Sequence, residues 1–492
     1  MTDKHKPQVK EDFRIRKDAF GEVRIPKGVY YDKETVRWME KFGIGEPLPF
    51  AFISALALVK KACAFANRDC GVITAKQTTM IAKACDAIIA GNYTGQFPVS
   101  TFQSGSGTYT NMNMNEVIAH IAHVSHGGNL DDEITIIHPN DIVNRSQSTN
   151  DVFPTAMYVA SVLALQKQVI PSITQLVDVF NKKGKEYAKV IKAGRTHLMD
   201  AVPISVGMEF DGWGSRMQRA EKNITRSIDT LSILPIGGTA LGSEINTPDG
   251  FAQLAVSYIS QFTGHAFIPA PNKFVDISSH DPMVEASFAL SNTALTLDTI
   301  TTTIRYLASG PRTGLGELVM PTAEPGSSIM PGKVNPSVLE AVRMACNAIE
   351  GKHETIKLAN RSSEQDMNTG KPIMAVTFLE SAELLASSCQ LLAKKCIAGI
   401  TLNHAVIQKY LANTLMTVTA LTPVIGYAQA AKIAVHAHKN NITLREAAIT
   451  LGVSAKVYDE FVDPRKMVKP FVSGIKRKSS LKKAADSELS RS

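Results

Sequence analysis

Apolar side chains recur at helical spacing through most of this chain, and the exceptions are as telling as the rule. The segment Ala51-Phe-Ile-Ser-Ala-Leu-Ala-Leu-Val-Lys-Lys-Ala62 places them three and four residues apart, which predicts mostly helix across 49–92. A second helix is predicted over 111–124. Residues 155–192 read as one long amphipathic stretch, with Pro171 as a kink or break because proline lacks the N–H a helix needs. The same periodicity continues over 282–307, 336–358 and 375–400. By contrast, 13–29 reads as short extended pieces and turns. Beyond 403, Leu421-Thr-Pro-Val-Ile-Gly426 interrupts the pattern, and 428–438 and 443–451 read as short helices.

Long helices with few strands imply a mainly α protein built on a helix bundle. At 492 residues the chain can bury a large core and form more than one domain. We expect a mixed but mostly helical part over 1–147, a central long-helix bundle over 148–402, a small helical part over 403–473, and a basic tail over 474–492. The tail carries Lys476, Arg477, Lys478, Lys482, Lys483 and Arg491 against Asp486 and Glu488, half of the net charge of +8. Its composition fits a solvated, unstructured segment rather than a nucleic-acid site, and no basic-aromatic pattern lies elsewhere. No apolar run is expected to span a membrane, and the charged first residues are not expected to act as a secretory or transit signal. Six cysteines without a Cys-x-x-Cys pair fit buried free thiols, so a cytoplasmic location is expected.

The candidate chemistry lies in interrupted segments. Gly326-Ser-Ser-Ile-Met-Pro-Gly-Lys-Val-Asn-Pro336 must be a loop, because its glycines and prolines block long helices and strands. It gathers Ser327, Ser328, Lys333 and Asn335, groups suited to a small anion. Ser327 is either a turn residue or a proton carrier. His197, after Gly194-Arg195-Thr196, is either a structural histidine or one that moves a water proton near neutral pH. Ser106, Gly107 and Thr108 form a tight hydroxyl-bearing turn, and Ser148, Thr149 and Asn150 precede a helix. The latter set can serve as an ordinary cap or help bind an anion at the helix start. Glu340 reads by itself as a helix-start charge. No metal-ligand set, phosphate-cradling loop or dinucleotide fingerprint is visible.

Five segments, in order, resemble the fumarase/aspartase superfamily. They are Ser104-Gly-Ser-Gly-Thr-Tyr-Thr-Asn-Met-Asn113; His138-Pro-Asn-Asp141 with Ser146-Gln-Ser-Thr-Asn-Asp-Val-Phe-Pro-Thr155; Gly194-Arg-Thr-His-Leu-Met-Asp200; Asn272-Lys-Phe274 with His280-Asp281; and the loop after Gly326. The likeness spans about 12–470. It implies the superfamily's three-domain fold and a homotetramer whose central domains pack into one helical core. It implies no cofactor and no metal.

The resemblance further implies addition or elimination across a carbon–carbon bond next to a carboxylate, with fumarate as the unsaturated partner. Ser327 then moves the carbon-bound proton. His197 activates water, with Glu340 as its acidic partner and Thr196 beside it on the substrate. Lys333 joins the catalytic residues by easing the loss of the Ser327 proton, and with Asn335, Val334, Ser328, Ser106, Gly107, Thr108, Ser148, Thr149 and Asn150 it binds the carboxylates, with groups contributed by different subunits. His138, Pro139, Asn140 and Asp141 match a second anion site, but Thr135 stands where that site's arginine belongs.

Hydration of fumarate to (S)-malate is the expected activity. Gly332 before Lys333, the Glu324-Pro325 pair, and Lys371-Pro372 all favour it. Tyr109 and Thr149 depart from the usual fumarase pattern, and Thr149 is common in aspartases. Aspartate ammonia-lyase activity and a non-catalytic interaction role are the alternatives.

Overall fold

The structure, a computed structural model, describes residues 12–321 and 325–468. The expected basic tail and Glu324 lie outside the described residues. The chain opens with an antiparallel hairpin of β1 (Phe13–Asp18) and β2 (Gly21–Pro26), paired from Phe13↔Pro26 to Asp18↔Gly21. Three helices follow: α1 (Lys33–Lys41), α2 (Phe50–Asp69) and α3 (Ala75–Ile89). A reciprocal capping box between Thr74 and Gln77 starts α3.

Next come α4 (Thr108–Val124), α5 (Thr149–Ala164) and α6 (Ile170–Glu186). A five-residue π turn, Leu165–Val169, joins α5 to α6, and the Ile170 N–H donates to the Leu165 carbonyl. This wide turn is where Pro171, which has no N–H to donate, is accommodated. The helix expected to reach 192 stops at Glu186. A hairpin of β3 (Ile191–Thr196) and β4 (Met199–Ser205) replaces its end. Helices α7 (Val206–Leu231), α8 (Phe251–Thr263), α9 (Lys273–Ser278), α10 (Asp281–Leu307), α11 (Ser337–Asn360) and α12 (Lys371–Lys395) follow. The last described residues hold α13 (His404–Asn413), a 3₁₀ segment (Leu415–Leu421), α14 (Thr422–Ile425), α15 (Tyr427–Asn440), α16 (Leu444–Thr450), α17 (Ala455–Phe461) and α18 (Pro464–Met467).

The described residues fall into two compact units. The first takes 12–177, 216–305 and 325–397; the second takes 178–215, 306–321 and 398–468. In the first, α2, α5 and α12 are apolar on nearly every side, which marks helices enclosed by others. The rings of Phe52 and Phe153 meet at 4.5 Å, and both are fully buried. Contrary to the sequence expectation, α2 is long and apolar enough by composition to cross a membrane. It is instead mostly buried and packs on α3, α5 and α8. The second unit has its own core of Val418, Leu421, Ile433, Ala447 and Tyr458, drawn from the short helices and the 3₁₀ segment.

Ionisable groups sit inside the first unit. Lys60 on α2, Asp151 on α5 and Lys371 at the start of α12 are each fully buried. Burial pushes the Asp151 carboxyl up to about 7, against the opposing pull of backbone N–H donors. It pushes both amines down to about 7, against the raising influence of Asp151. Lys60 donates to Asn144 Oδ1 at 2.8 Å, whereas Lys371 Nζ has no hydrogen-bond partner among the described residues.

This burial makes stability depend on pH. Lys371 holds its proton less tightly in the folded chain than the ordinary value of 10.5. Between about pH 7 and that value the unfolded chain therefore carries the extra proton, and stability rises with pH by up to ~1.4 kcal/mol per unit. Lys371→Met is expected to remove its share of this rise and to leave the share of Lys60, whose amine is lowered in the same way. Urea midpoints measured from pH 7 to 9.5 check it, and equal slopes for parent and variant would refute the buried amine.

Candidate active site

Two helix starts are brought together in the first unit. α4 begins at Gly107, whose φ of +84° is a backbone conformation that glycine adopts freely. A side chain there would also collide with the Phe153 ring. Gly107 has no side chain to cap α4, and Gln103 Oε1 instead accepts from the Thr110 N–H at 3.1 Å, leaving the Thr108 and Tyr109 end of the first turn with its positive dipole. Ser106 is buried, with its Oγ 2.7 Å from Thr108 Oγ1 and 3.1 Å from Ser104 Oγ. The turn is backed by α12, since the Lys371 N–H donates to the Gly105 carbonyl at 3.2 Å.

α5 begins with a capping box. The Asn150 N–H donates to Ser148 Oγ at 3.2 Å, and the Ser148 N–H donates to Asp151 Oδ1 at 2.9 Å. Asp151 Oδ2 accepts from Gly237 and Thr239 N–H at 3.0 and 2.9 Å, tying a distant loop to the helix start. Asn150 reaches the same loop through its Nδ2, which donates to the Ala240 carbonyl at 2.9 Å. Thr149 Oγ1 points inward and accepts from Asn111 Nδ2 of α4 at 3.0 Å. That bond joins the two starts, so 106–108 and 148–150 are neighbours. Tyr109, the other departure from the fumarase pattern, packs its ring 5.7 Å from Phe42.

The loop after Gly326 is closed upon itself. The Gly326 N–H donates to the Lys333 carbonyl at 2.7 Å, and Asn335 Nδ2 donates to the Gly326 carbonyl at 2.6 Å. Any side chain at Gly326 would meet the Asn335 nitrogen at 2.5 Å, so glycine is required there. Ser327 Oγ accepts from Met330 N–H at 2.9 Å and Ile329 N–H at 3.2 Å. Two donors aimed at one hydroxyl oxygen stabilise negative charge on it. Ser328, Lys333 and Val334 are exposed. The hydrogen bonds described for Ser327 and Asn335 stay inside the loop.

Glu340 lies in the first turn of α11. Its expected partner is His197, but within this chain its carboxylate pairs with Arg305 of α10 at 3.2 Å. Thr196 and His197 belong to the second unit, at the tip of the β3–β4 hairpin, and both are exposed. His197 and Leu198 form its two-residue turn with φ of +55° and +62°. Such turns usually take asparagine or glycine at these positions, so the hairpin holds both residues under strain.

His138 caps the π turn Pro139–Val143, with its Nδ1 accepting from the Asp141 N–H at 3.1 Å. Asp141 Oδ2 lies 3.1 Å from the same nitrogen. Thr135, in place of arginine, donates its hydroxyl to the Ile137 carbonyl at 2.7 Å. His280 is fully buried beside Tyr158, its Nδ1 3.0 Å from the phenolic oxygen. Burial, reinforced by the Lys371 charge, holds it well below the usual histidine value, hence neutral. Among the described residues no group of three or more His, Cys, Asp or Glu side chains is gathered to hold a metal ion.

Sequence reading passed over several residues that build these segments. Asn111 fell inside a quoted motif but received no role, Asp151 was read only as part of an ordinary helix cap, and Arg305, Glu209 and Glu317 drew no attention. An isolated charge in a helix or loop carries no local sign of which carboxylate or cation it will meet.

Comparison with known proteins completes the picture. A family model described as Lyase matches residues 21–351, and one described as Fumarase C C-terminus matches 418–469. The chain is 45% identical over 459 residues to the class II fumarate hydratase of Pasteurella multocida, covering 93% of this chain and 99% of that one. It is 44% identical to the mitochondrial fumarate hydratase of Rattus norvegicus, covering 93% of this chain and 91% of the relative. Its fold matches the crystal structure of recombinant class II fumarase from Schistosoma mansoni with a TM-score of 0.91 and 37% identity, over 94% of this chain and all of that one. The chain belongs to the fumarase/aspartase superfamily of lyases and, within it, to the class II fumarate hydratases.

Proposed function

We propose that this protein interconverts fumarate and (S)-malate, and that its proton transfers are divided between Ser327 and His197. The observation that carries the reading is the joined pair of helix starts at 106–108 and 148–150. They present hydroxyls and N–H groups where a small dicarboxylate can bind. Near full-length identity to class II fumarate hydratases supplies the reaction.

In the hydration direction, His197 takes a proton from water as the oxygen adds to one alkene carbon. The electron pair of the double bond moves toward the other carbon and its carboxylate, giving an aci-carboxylate dianion. Ser327 then supplies the proton that this carbon acquires. In reverse, the Ser327 oxygen removes that C–H proton, and its two N–H donors support the charge it must carry. Lys333, Asn335, Ser328 and the Val334 backbone meet the dianionic end, where charge grows on the way to the transition state. Thr196 steadies the substrate beside His197, and Glu340 is assigned to that histidine. The chemistry enlists acid–base groups of the protein alone. His138–Asp141 is kept as a secondary anion site without its arginine.

We further propose a homotetramer with shared active sites. Phe288 and Leu295 stand out from α10, and Met344 and Leu358 from α11, each more than half exposed in the single chain. Long helices with such faces are suited to packing on further copies. The six cysteines are free thiols, five of them buried, which fits a reducing cytoplasm.

Pure protein given malate is expected to form fumarate, followed by ultraviolet absorbance of the conjugated double bond. Fumarate arising only from aspartate would instead make it an ammonia-lyase, and turnover of neither would favour the interaction role. Ser327→Ala and His197→Asn are each expected to lower kcat by about 10²–10⁴-fold while circular dichroism stays unchanged. Coexpressing the two inactive variants is expected to restore about a quarter of the parental activity, because mixed tetramers rebuild some intact sites. Absence of any recovery would place both residues in one subunit's site.

A further inference from the structure

The His197 turn stands on a buried charge cluster that the catalytic reading leaves unused. Glu317 is 1% exposed and receives one cation on each oxygen: Lys192 Nζ lies 2.5 Å from Oε2, and Arg195 Nη2 lies 2.8 Å from Oε1. Lys192 also pairs with Glu209, at 3.0 and 2.9 Å to its two oxygens. Two cations and two anions balance, which is the condition for keeping such groups out of water. The Arg195 guanidinium also covers the Tyr410 ring, 5.4 Å from its centroid.

Both cations belong to β3, the strand that ends in the His197 turn. Strand alternation sends residues three apart to opposite faces. Here the register slips by one residue between Ala193 and Arg195, leaving Gly194 opposite two residues of β4. Such bulges add twist, and across it both side chains converge on Glu317. Glu317 is itself fixed by its backbone: its N–H donates to the Leu307 carbonyl, and its carbonyl accepts from the Asn403 N–H, both at 2.9 Å.

We infer that Glu317 is a positioning residue for catalysis. By clamping Lys192 and Arg195 it sets the twist of β3 and so aims the strained His197 turn. A strand free to untwist would relax the turn and move the imidazole, and small displacements of a proton carrier cost large factors in rate. The inference rests on His197 acting in catalysis.

The test uses the full-length enzyme and reads kcat, KM and the pH profile of malate dehydration, with circular dichroism as the fold control. Glu317→Gln leaves Arg195 without its carboxylate and two cations against the single anion Glu209, and is liable to unfold. The deciding variant is therefore the pair Glu317→Met and Arg195→Met, which removes one anion and one cation and leaves Lys192 with Glu209. It is expected to fold, to lose about 10–100-fold in kcat with KM within about threefold, and to displace the histidine limb of the pH profile. Glu317→Asp, which keeps the charge, is expected to retain more activity than the pair. A folded pair with parental kcat and pH profile overturns the inference, as does a pair that fails to fold, which would assign the cluster to stability alone. His197→Asn separates the two readings. Parental turnover there defeats the role of His197 itself, whereas loss there beside a parental pair defeats only the positioning.

Discussion

The carboxylate of Asp151 is the contact on which the first unit's binding face depends. One oxygen closes the capping box at the start of α5, and the other accepts two N–H groups from the Gly237–Thr239 loop. It is fully buried, and the nearby amines of Lys60 and Lys371 are the cations that offset its charge. Capping a helix rarely needs so enclosed an acid. The arrangement makes sense because the residues just before it, Ser148 to Asn150, must hold their backbone still while presenting polar groups outward. Asn111 extends the same rigidity to α4.

The second unit meets the same problem in another way. A two-residue turn with positive φ at His197 and Leu198 has no glycine to ease it, so the cost must be borne by its surroundings. Here a balanced set of four charges holds the strand leading into the turn. In both units buried charge fixes backbone geometry. Its value lies in position more than in stability, since ion pairs out of water recover little net energy beyond their desolvation cost.

The loop after Gly326 differs from both. Its shape comes from its own hydrogen bonds and from a glycine that no other residue can replace. Its apolar residues face outward, Ile329 being 82% exposed in the single chain. Such exposure of apolar side chains accords with the proposed sharing of sites between copies.

Much of this was legible along the chain. Helical periodicity located α4 and α10 through α12 to within about five residues, because those helices follow a local rule of spacing, and it covered α2 and α3 as one stretch without the break between them. Glycines and prolines marked the loop after Gly326, and the ordered motifs identified the family. The hairpin at 191–205 was hidden, since Lys192, Gly194 and Arg195 break any alternating pattern and the preceding helix masks its start. By length and composition alone α2 passes for a membrane span, and only its burial among α3, α5 and α8 says what it does. Linear order determined which chemical groups exist and which backbone each can adopt. Tertiary structure decided their partners: Glu340 with Arg305, Asp151 with a loop some ninety residues on, and Glu317 with two cations of one strand. Ion pairs and long-range hydrogen bonds depend on distances in space, and spacing along a chain does not contain them.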